Sequence, residues 1–311
     1  METRIKIFYL VSLSFLLFNL IGCDTKSKAM SANSMVESQT GDLSLSVGTT
    51  EFAITSETEK QELAEAAGGV IAPTSNIFSL VDGVLYCGEV PVDTSISSLD
   101  LRSAIFDDWS FIANFDKLER LSIADSNICS NDLTYLSCLS SLSALYLIHC
   151  EQIRSIENLE KLSDLEELYI TFSSINDFST ISKITSLKTI HFYNCFAISD
   201  ITFLDEMANL DSIVFSSCMQ IQDFSPLQDL TNLVSLDLSY TQFSDNDLLY
   251  LINMKKLKNL SLYCENIKDY SVLCEMDFPD LQFLSCNATL DELVALKVAY
   301  PNCKITIPII D

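Results

Sequence analysis

Two histidines, eleven cysteines and a recurring aspartate are the residues of this 311-residue chain whose types could support chemistry. His149 and His191 have Tyr146, Tyr169, Phe172 and Tyr193 as their aromatic neighbours in the pattern. Catalysis by either would need a nucleophile or carboxylate held against the imidazole, and the sequence places none beside them. The motif I-x-D-apolar-[ST] recurs at Asp177, Asp200, Asp223 and Asp269. A column of carboxylates invites calcium. The plainer use of the same pattern is an Asp that accepts backbone N–H groups and caps a turn, and that is the expectation here, because glycine-rich, multi-Asp calcium loops are missing. No C-x-x-C pair occurs, so the thiols do not spell out a zinc or redox motif. Neither a metal nor a cofactor is expected, and the chain reads as a non-enzyme.

Composition narrows the partners. Only 7 Gly are present and no stretch matches G-x-x-x-x-G-K-[ST], which argues against a nucleotide-binding loop. A formal net charge of -25 repels phosphate backbones, so no nucleic-acid partner is expected. At 48% apolar residues the chain has ample material for a long core.

The N-terminus reads as an address. Arg4 and Lys6 precede an apolar run from Ile7 to Ile21, the build of a secretory signal and too short for a confident membrane span. Its end, Leu20-Ile21-Gly22-Cys23, resembles the lipobox of bacterial lipoproteins. That resemblance implies lipidation of Cys23 and attachment to a membrane of the cell envelope, where acyl chains hold by about 0.8 kcal/mol per buried methylene. Residues 1–22 are thus expected to be a signal peptide. Residues 23–75 are expected to be a flexible spacer rich in Ser and Thr, holding one short helix capped by Ser56 and Glu59. In residues 76–95, Asp82-Gly83 between two apolar runs predicts a β-hairpin, placed to cap the repeats that begin at Ile96.

Those repeats must position the histidines, aspartates and aromatics. Leu233, Leu236 and Leu238 set a spacing that recurs from Ile96, Leu118, Leu142, Leu165, Leu187, Leu210, Leu233, Leu257 and Leu281, with Cys303 to Ile307 as a closing strand. A turn of 22 to 24 residues cannot bury its own apolar face, so successive turns must stack into a solenoid with one continuous core. Alternation sends the leucines inward and their neighbours outward, and parallel strands lie about 4.8 Å apart. On this scheme the return path at Phe178 to Ile184 looks 3₁₀-like, while Ser244 to Lys256 and Thr289 to Tyr300 look helical. His149 and His191 fall in outward strand positions two turns apart, about 9.6 Å, too far to share a zinc ion.

Leu165-Glu166-Glu167-Leu168-Tyr169-Ile170 meets the L-x-x-L-x-L pattern, and residues 96–311 resemble the leucine-rich repeat family. Phe224 to Ser239 is similar to the short repeats of internalins, bacterial surface proteins. The resemblance implies an α/β solenoid, a curved array with a parallel concave sheet and a mixed 3₁₀ and helical convex side, to which the β-hairpin N-terminal cap read from Asp82-Gly83 is added. It also implies a buried Asn at the ninth repeat position, bonding the backbone of neighbouring turns. In this chain that position holds Ala104, Ser126, Cys150, Ser173, Cys195, Cys218, Thr241, Glu265 and Thr289. Small polar residues and thiols can do part of that work. Cys195 and Cys218 fall on adjacent turns, at a separation a disulfide can span, although buried free thiols are the expected state. The sequence departs from the internalin pattern in two ways, with no C-terminal wall-sorting motif and a hairpin expected as its N-terminal cap, so internalin ligands are not carried over.

The functional expectation is a lipid-anchored envelope protein that binds a protein or other macromolecular ligand through its concave face. Tyr146, His149, Tyr169, Phe172, His191 and Tyr193 are the expected contact patch, since aromatic side chains dominate interface energetics. The alternative for the same residues is an aromatic ladder that merely ties neighbouring strands together. The alternative function is an envelope scaffold that positions other envelope proteins.

Overall fold

A computed structural model describes residues 78–307. The expected signal peptide, the lipidation site Cys23 and the spacer with its short helix lie outside the described residues.

Strands β1 (Phe78–Val81) and β2 (Val84–Cys87) form the expected hairpin, and β3 (Val90–Pro91) adds a third antiparallel strand. Asp82 and Gly83 both take positive φ, 50° and 78°, which matches the right-handed twist of the two strands they join. Phe78 and Leu85 from this cap join the core of the array.

Ten parallel strands then form one sheet in chain order: β4 (Ser98–Arg102), β5 (Arg120–Ala124), β6 (Ala144–Ile148), β7 (Glu167–Thr171), β8 (Thr189–Tyr193), β9 (Ser212–Val214), β10 (Ser235–Asp237), β11 (Asn259–Leu262), β12 (Phe283–Cys286) and β13 (Lys304–Thr306). Nine repeats and a closing strand thus become ten rungs of a solenoid. The register stacks one inward column through Leu99, Leu121, Leu145, Leu168, Ile190, Ile213, Leu236, Leu260 and Leu284, all buried. A second column on the return side, including Ile112, Leu136, Leu159, Ile181, Leu204, Leu227, Leu251 and Leu273, closes the core from behind.

The return segments are short 3₁₀ turns, among them Ser179–Lys183, as expected, and Asp245–Leu251, where a longer helix was expected. The reason is width. A helix with its side chains is about 10 to 12 Å across, whereas neighbouring rungs sit about 4.8 Å apart, so an interior rung favours the narrower turn. Helix α1 (Leu290–Ala299) belongs to the last full rung, where no further described rung limits it, and a Thr289–Glu292 capping box fixes its start. Among the described residues no helix is long and apolar enough to cross a membrane.

Candidate ligand-binding face

The outer face of the sheet is built by alternation along each strand. Tyr146, Tyr169 and His191 occupy matched positions on β6, β7 and β8. Their rings stack: Tyr146 on Tyr169 at 4.4 Å between centroids, Tyr169 on His191 at 5.0 Å. A second row runs beside it, His149 to Phe172 at 5.7 Å and Phe172 to Tyr193 at 5.4 Å, both edge-on. The six expected contact residues therefore do come together.

Their exposure differs from what alternation alone implies. Tyr169 is 6% exposed, His191 3% and Tyr193 6%, while Tyr146 and Phe172 are partly open and His149 retains an accessible side chain. Rungs one strand spacing apart bring each central ring against its neighbours on both sides, so an outward side chain can still be occluded. Burial raises the hydroxyl pKa of Tyr146 and Tyr169, with the Glu167 charge adding to it, and pushes that of Tyr193 up to about 12. It lowers His191 to about 4, so this imidazole is neutral at physiological pH. Tyr146 donates to Glu167 Oε2 at 3.0 Å, and Arg120 lies 3.7 Å from the same oxygen.

His149 does not sit in a strand. It follows β6 with φ at 54°, in a row of left-handed residues that includes Ser103, Asp125, Phe172, Asn194, Ser217 and Tyr240. Here the chain leaves the strand, and each residue's N–H donates to the next rung: His149 to Thr171, Phe172 to Tyr193, Asn194 to Ser216. The sequence carries no warning, because none of these residues is glycine. Nor does it reveal that His149 is held by two carboxylates, Asp125 at 2.8 Å on Nδ1 and Glu151 at 3.3 Å on Nε2. Asp125 comes from the preceding rung, a contact that only stacking creates.

The remaining candidate chemistry is structural. Asp177, Asp200, Asp223 and Asp269 each accept the N–H two residues on, at 2.9 Å, which places them as turn caps. This bonding holds the Asp177, Asp223 and Asp269 carboxyls below their ordinary range. Cys150, Cys195, Cys218 and Cys264 are free thiols whose Sγ donates to a carbonyl of the preceding rung: Ile123, Ile170, Phe192 and Leu238. They thus tie rungs together from within. Burial raises Cys195, lifts Cys150 to about 11 and Cys264 to about 12, so these thiols stay protonated and poorly nucleophilic. One assignment is corrected. Cys264, not Glu265, holds the ninth-position role in its rung, because β11 is followed by one residue fewer and the left-handed residue is missing there. In the last full rung Thr289 is the cap of α1 rather than a ladder residue. Among the described residues no group of three His, Cys, Asp or Glu side chains is arranged to hold a metal ion.

No protein-family model matches the chain, and no curated protein matches it. Solved structures do. An internalin of Listeria monocytogenes, InlF, is 23% identical over 70% of this chain and 69% of its own, with a TM-score of 0.55. Internalin C2 of the same organism is 25% identical over 63% of this chain and 83% of its own, at 0.49. A leucine-rich repeat protein of Leptospira interrogans is 14% identical over 68% of this chain and 72% of its own, at 0.41. The first likeness shows a shared fold, a leucine-rich repeat solenoid, which the ten stacked rungs of this chain also display.

Proposed function

We propose that this chain binds a protein or other macromolecular ligand on the outer, concave face of its sheet, and that it does so at the bacterial cell envelope, held by lipid on Cys23. The observation that carries the binding reading is the contrast between the two sides. The strands and the residues that follow them gather Tyr146, His149, Phe172, Tyr240 and Tyr263, whereas the return side is a series of short turns with Asp caps and salt-bridged lysines such as Lys183 to Glu160. Of the expected patch, Tyr146, His149 and Phe172 are the side chains a ligand meets first, and the buried Tyr169, His191 and Tyr193 hold them in place.

The test is crosslinking capture from the native envelope with a Phe172→Ala chain and a Lys183→Ala control. Truncating an aromatic at the centre of an interface commonly costs about 2 kcal/mol, roughly thirtyfold in affinity. Phe172→Ala is expected to lose capture and Lys183→Ala to keep it. The reverse pattern would move the ligand to the convex side. The anchor rests on Leu20-Ile21-Gly22-Cys23 and is checked separately: Cys23→Ser should abolish fatty-acid labelling and release the chain from membranes.

A further inference from the structure

Phe196 and Met219 stand out from the surface on neighbouring rungs, each 53% exposed. Each is the second residue of a turn that follows the sheet: the Ile198 N–H donates to the Cys195 carbonyl at 3.3 Å, and the Ile221 N–H to the Cys218 carbonyl at 3.5 Å. Cys195, Ile198, Cys218 and Ile221 are buried, so both ends of each turn are fixed in the core and the side chain between them is held out on a rigid base. One strand spacing, about 4.8 Å, separates the two turns, because β8 and β9 pair in register and the turns lie equally far beyond Thr189 and Ser212. The turn itself asks for no apolar residue at this place. Glu151 fills it between Cys150 and Ile153, where the Ile153 N–H donates to the Cys150 carbonyl at 3.2 Å. Neither the turn nor the core therefore accounts for an exposed Phe beside an exposed Met.

The charge around the pair is of one sign. Two residues beyond each turn stands a capping aspartate, Asp200 after Ile198 and Asp223 after Ile221, both exposed, and Asp177 holds the same place after Ile175 on the preceding rung. From Phe192 to Met254 the chain has no Lys, Arg or His and nine Asp or Glu. Aromatic rings and thioethers are favoured at contact surfaces, where Met adapts to the shape it meets. A surrounding field of negative charge draws basic partners and turns acidic ones away.

We propose that Phe196 and Met219 form a docking ledge for a basic, amphipathic segment of a protein ligand. An aliphatic or aromatic side chain of the segment settles against the pair, and the Lys or Arg residues flanking it meet Asp177, Asp200 and Asp223. The ledge carries the outer face past the strand ends on the side of Phe172, so this inference rests on the binding face proposed above and names the chemistry of ligand that the face selects. The apolar pair supplies buried area, and the carboxylates supply speed of encounter and discrimination.

The experiment titrates the full chain with short fluorescent peptides, one alternating Lys with Leu, one with Glu in place of Lys and one with Ser in place of Leu. The Lys–Leu peptide is expected to bind, and the other two at least about tenfold more weakly. Phe196→Ser together with Met219→Ser should weaken the Lys–Leu peptide at least about tenfold and leave thermal melting unchanged, since both side chains are exposed. Leu249→Ser removes an equally exposed apolar side chain from the return side and should leave binding unchanged. Asp200→Asn together with Asp223→Asn keeps an oxygen for each capped N–H, removes the charge, and should flatten the salt dependence of binding. No binding of the Lys–Leu peptide, equal binding of the Glu–Leu peptide, or equal losses in the ledge and Leu249→Ser variants would overturn the proposal. So would a photoreactive benzophenone side chain at position 196 that crosslinks, in the chain alone, to residues 24–77 or to a second copy, because the ledge would then have another occupant. Envelope capture separates the two readings. Capture that survives Phe196→Ser with Met219→Ser but is lost in Phe172→Ala removes the ledge and leaves the binding face, whereas capture that survives both removes both.

Discussion

His191 links the ladder to pH. Its imidazole is buried, stacked on Tyr169 and set beside Val214, and burial lowers its pKa from 6.5 to about 4. The folded chain therefore keeps His191 neutral between those values, while the unfolded chain takes up a proton there. Stability must fall as pH drops through this window, because the unfolded state binds the extra proton. With a shift of about 2.5 units and 1.36 kcal/mol per unit, the full effect is about 3 kcal/mol below pH 4, of which about 2 kcal/mol is lost by pH 5. The capping carboxylates do not confuse the measurement. Asp177, Asp223 and Asp269 have lowered pKa values, so their contribution begins to fade only near the ordinary carboxylate range, below pH 5. Asp237, whose pKa is raised, acts with the opposite sign but equally in both chains. His191→Phe keeps a ring for Tyr169 to stack on and removes the titration. Urea midpoints at pH 7.5 and 5 should show the parent losing about 2 kcal/mol more than His191→Phe. Equal losses would mean that His191 reaches solvent or finds a proton acceptor, and the buried-ladder account would be wrong.

Three further outcomes test the packing. Leu168 lies between Leu145 and Ile190 and is fully buried, so Leu168→Ala should cost about 2 to 5 kcal/mol in urea denaturation, with unfolding tending to become multi-step because rungs couple mainly to neighbours. A loss well under about 1 kcal/mol would mean a different register. Cys264→Ala removes the donor to Leu238 O at 3.1 Å and should cost about 1 to 3 kcal/mol, Cys264→Ser should recover part of it, and Glu265→Ala at the exposed neighbour should change little; the reverse ranking by thermal melting would return the ladder role to Glu265. Tyr169→Ala strips a ring stacked on both sides and should lower stability by about 2 kcal/mol or more, so any loss of ligand capture in that variant has to be judged against its thermal melt; an unchanged melting temperature would show that the ring is not part of the packing.

The rungs were legible because their signal is local and repeated. Leu165, Leu168 and Ile170 state an inward face, and nine copies at nearly constant spacing state a stack. The Asp caps were legible for the same reason, since Asp177 and Ser179 are two residues apart and their bond does not depend on any other rung. What escaped depends on contacts between rungs. The left-handed residues His149, Phe172 and Tyr240 are placed by hydrogen bonds to the following rung, which hold a conformation their own preferences oppose. Cys264 takes the ladder position one residue early because its thiol reaches the Leu238 carbonyl, a fact that counting along the chain misses.

The same distinction separates direction from accessibility on the binding face. Alternation tells which way Tyr169, His191 and Asp237 point, but the width of the residues one rung away decides what a ligand can touch. Next to large rings, as at β6 to β8, outward side chains pack against each other and become a wall. From β9 to β11 the outward residues are Ser212, Val214, Ser235, Asp237, Asn259 and Ser261, which stack no rings on one another, and an aromatic ring returns at Phe283 on β12. The same alternation therefore gives a packed row where rings meet rings and no such row where they meet shorter side chains, so exposure on this face is set between rungs and not along the strand.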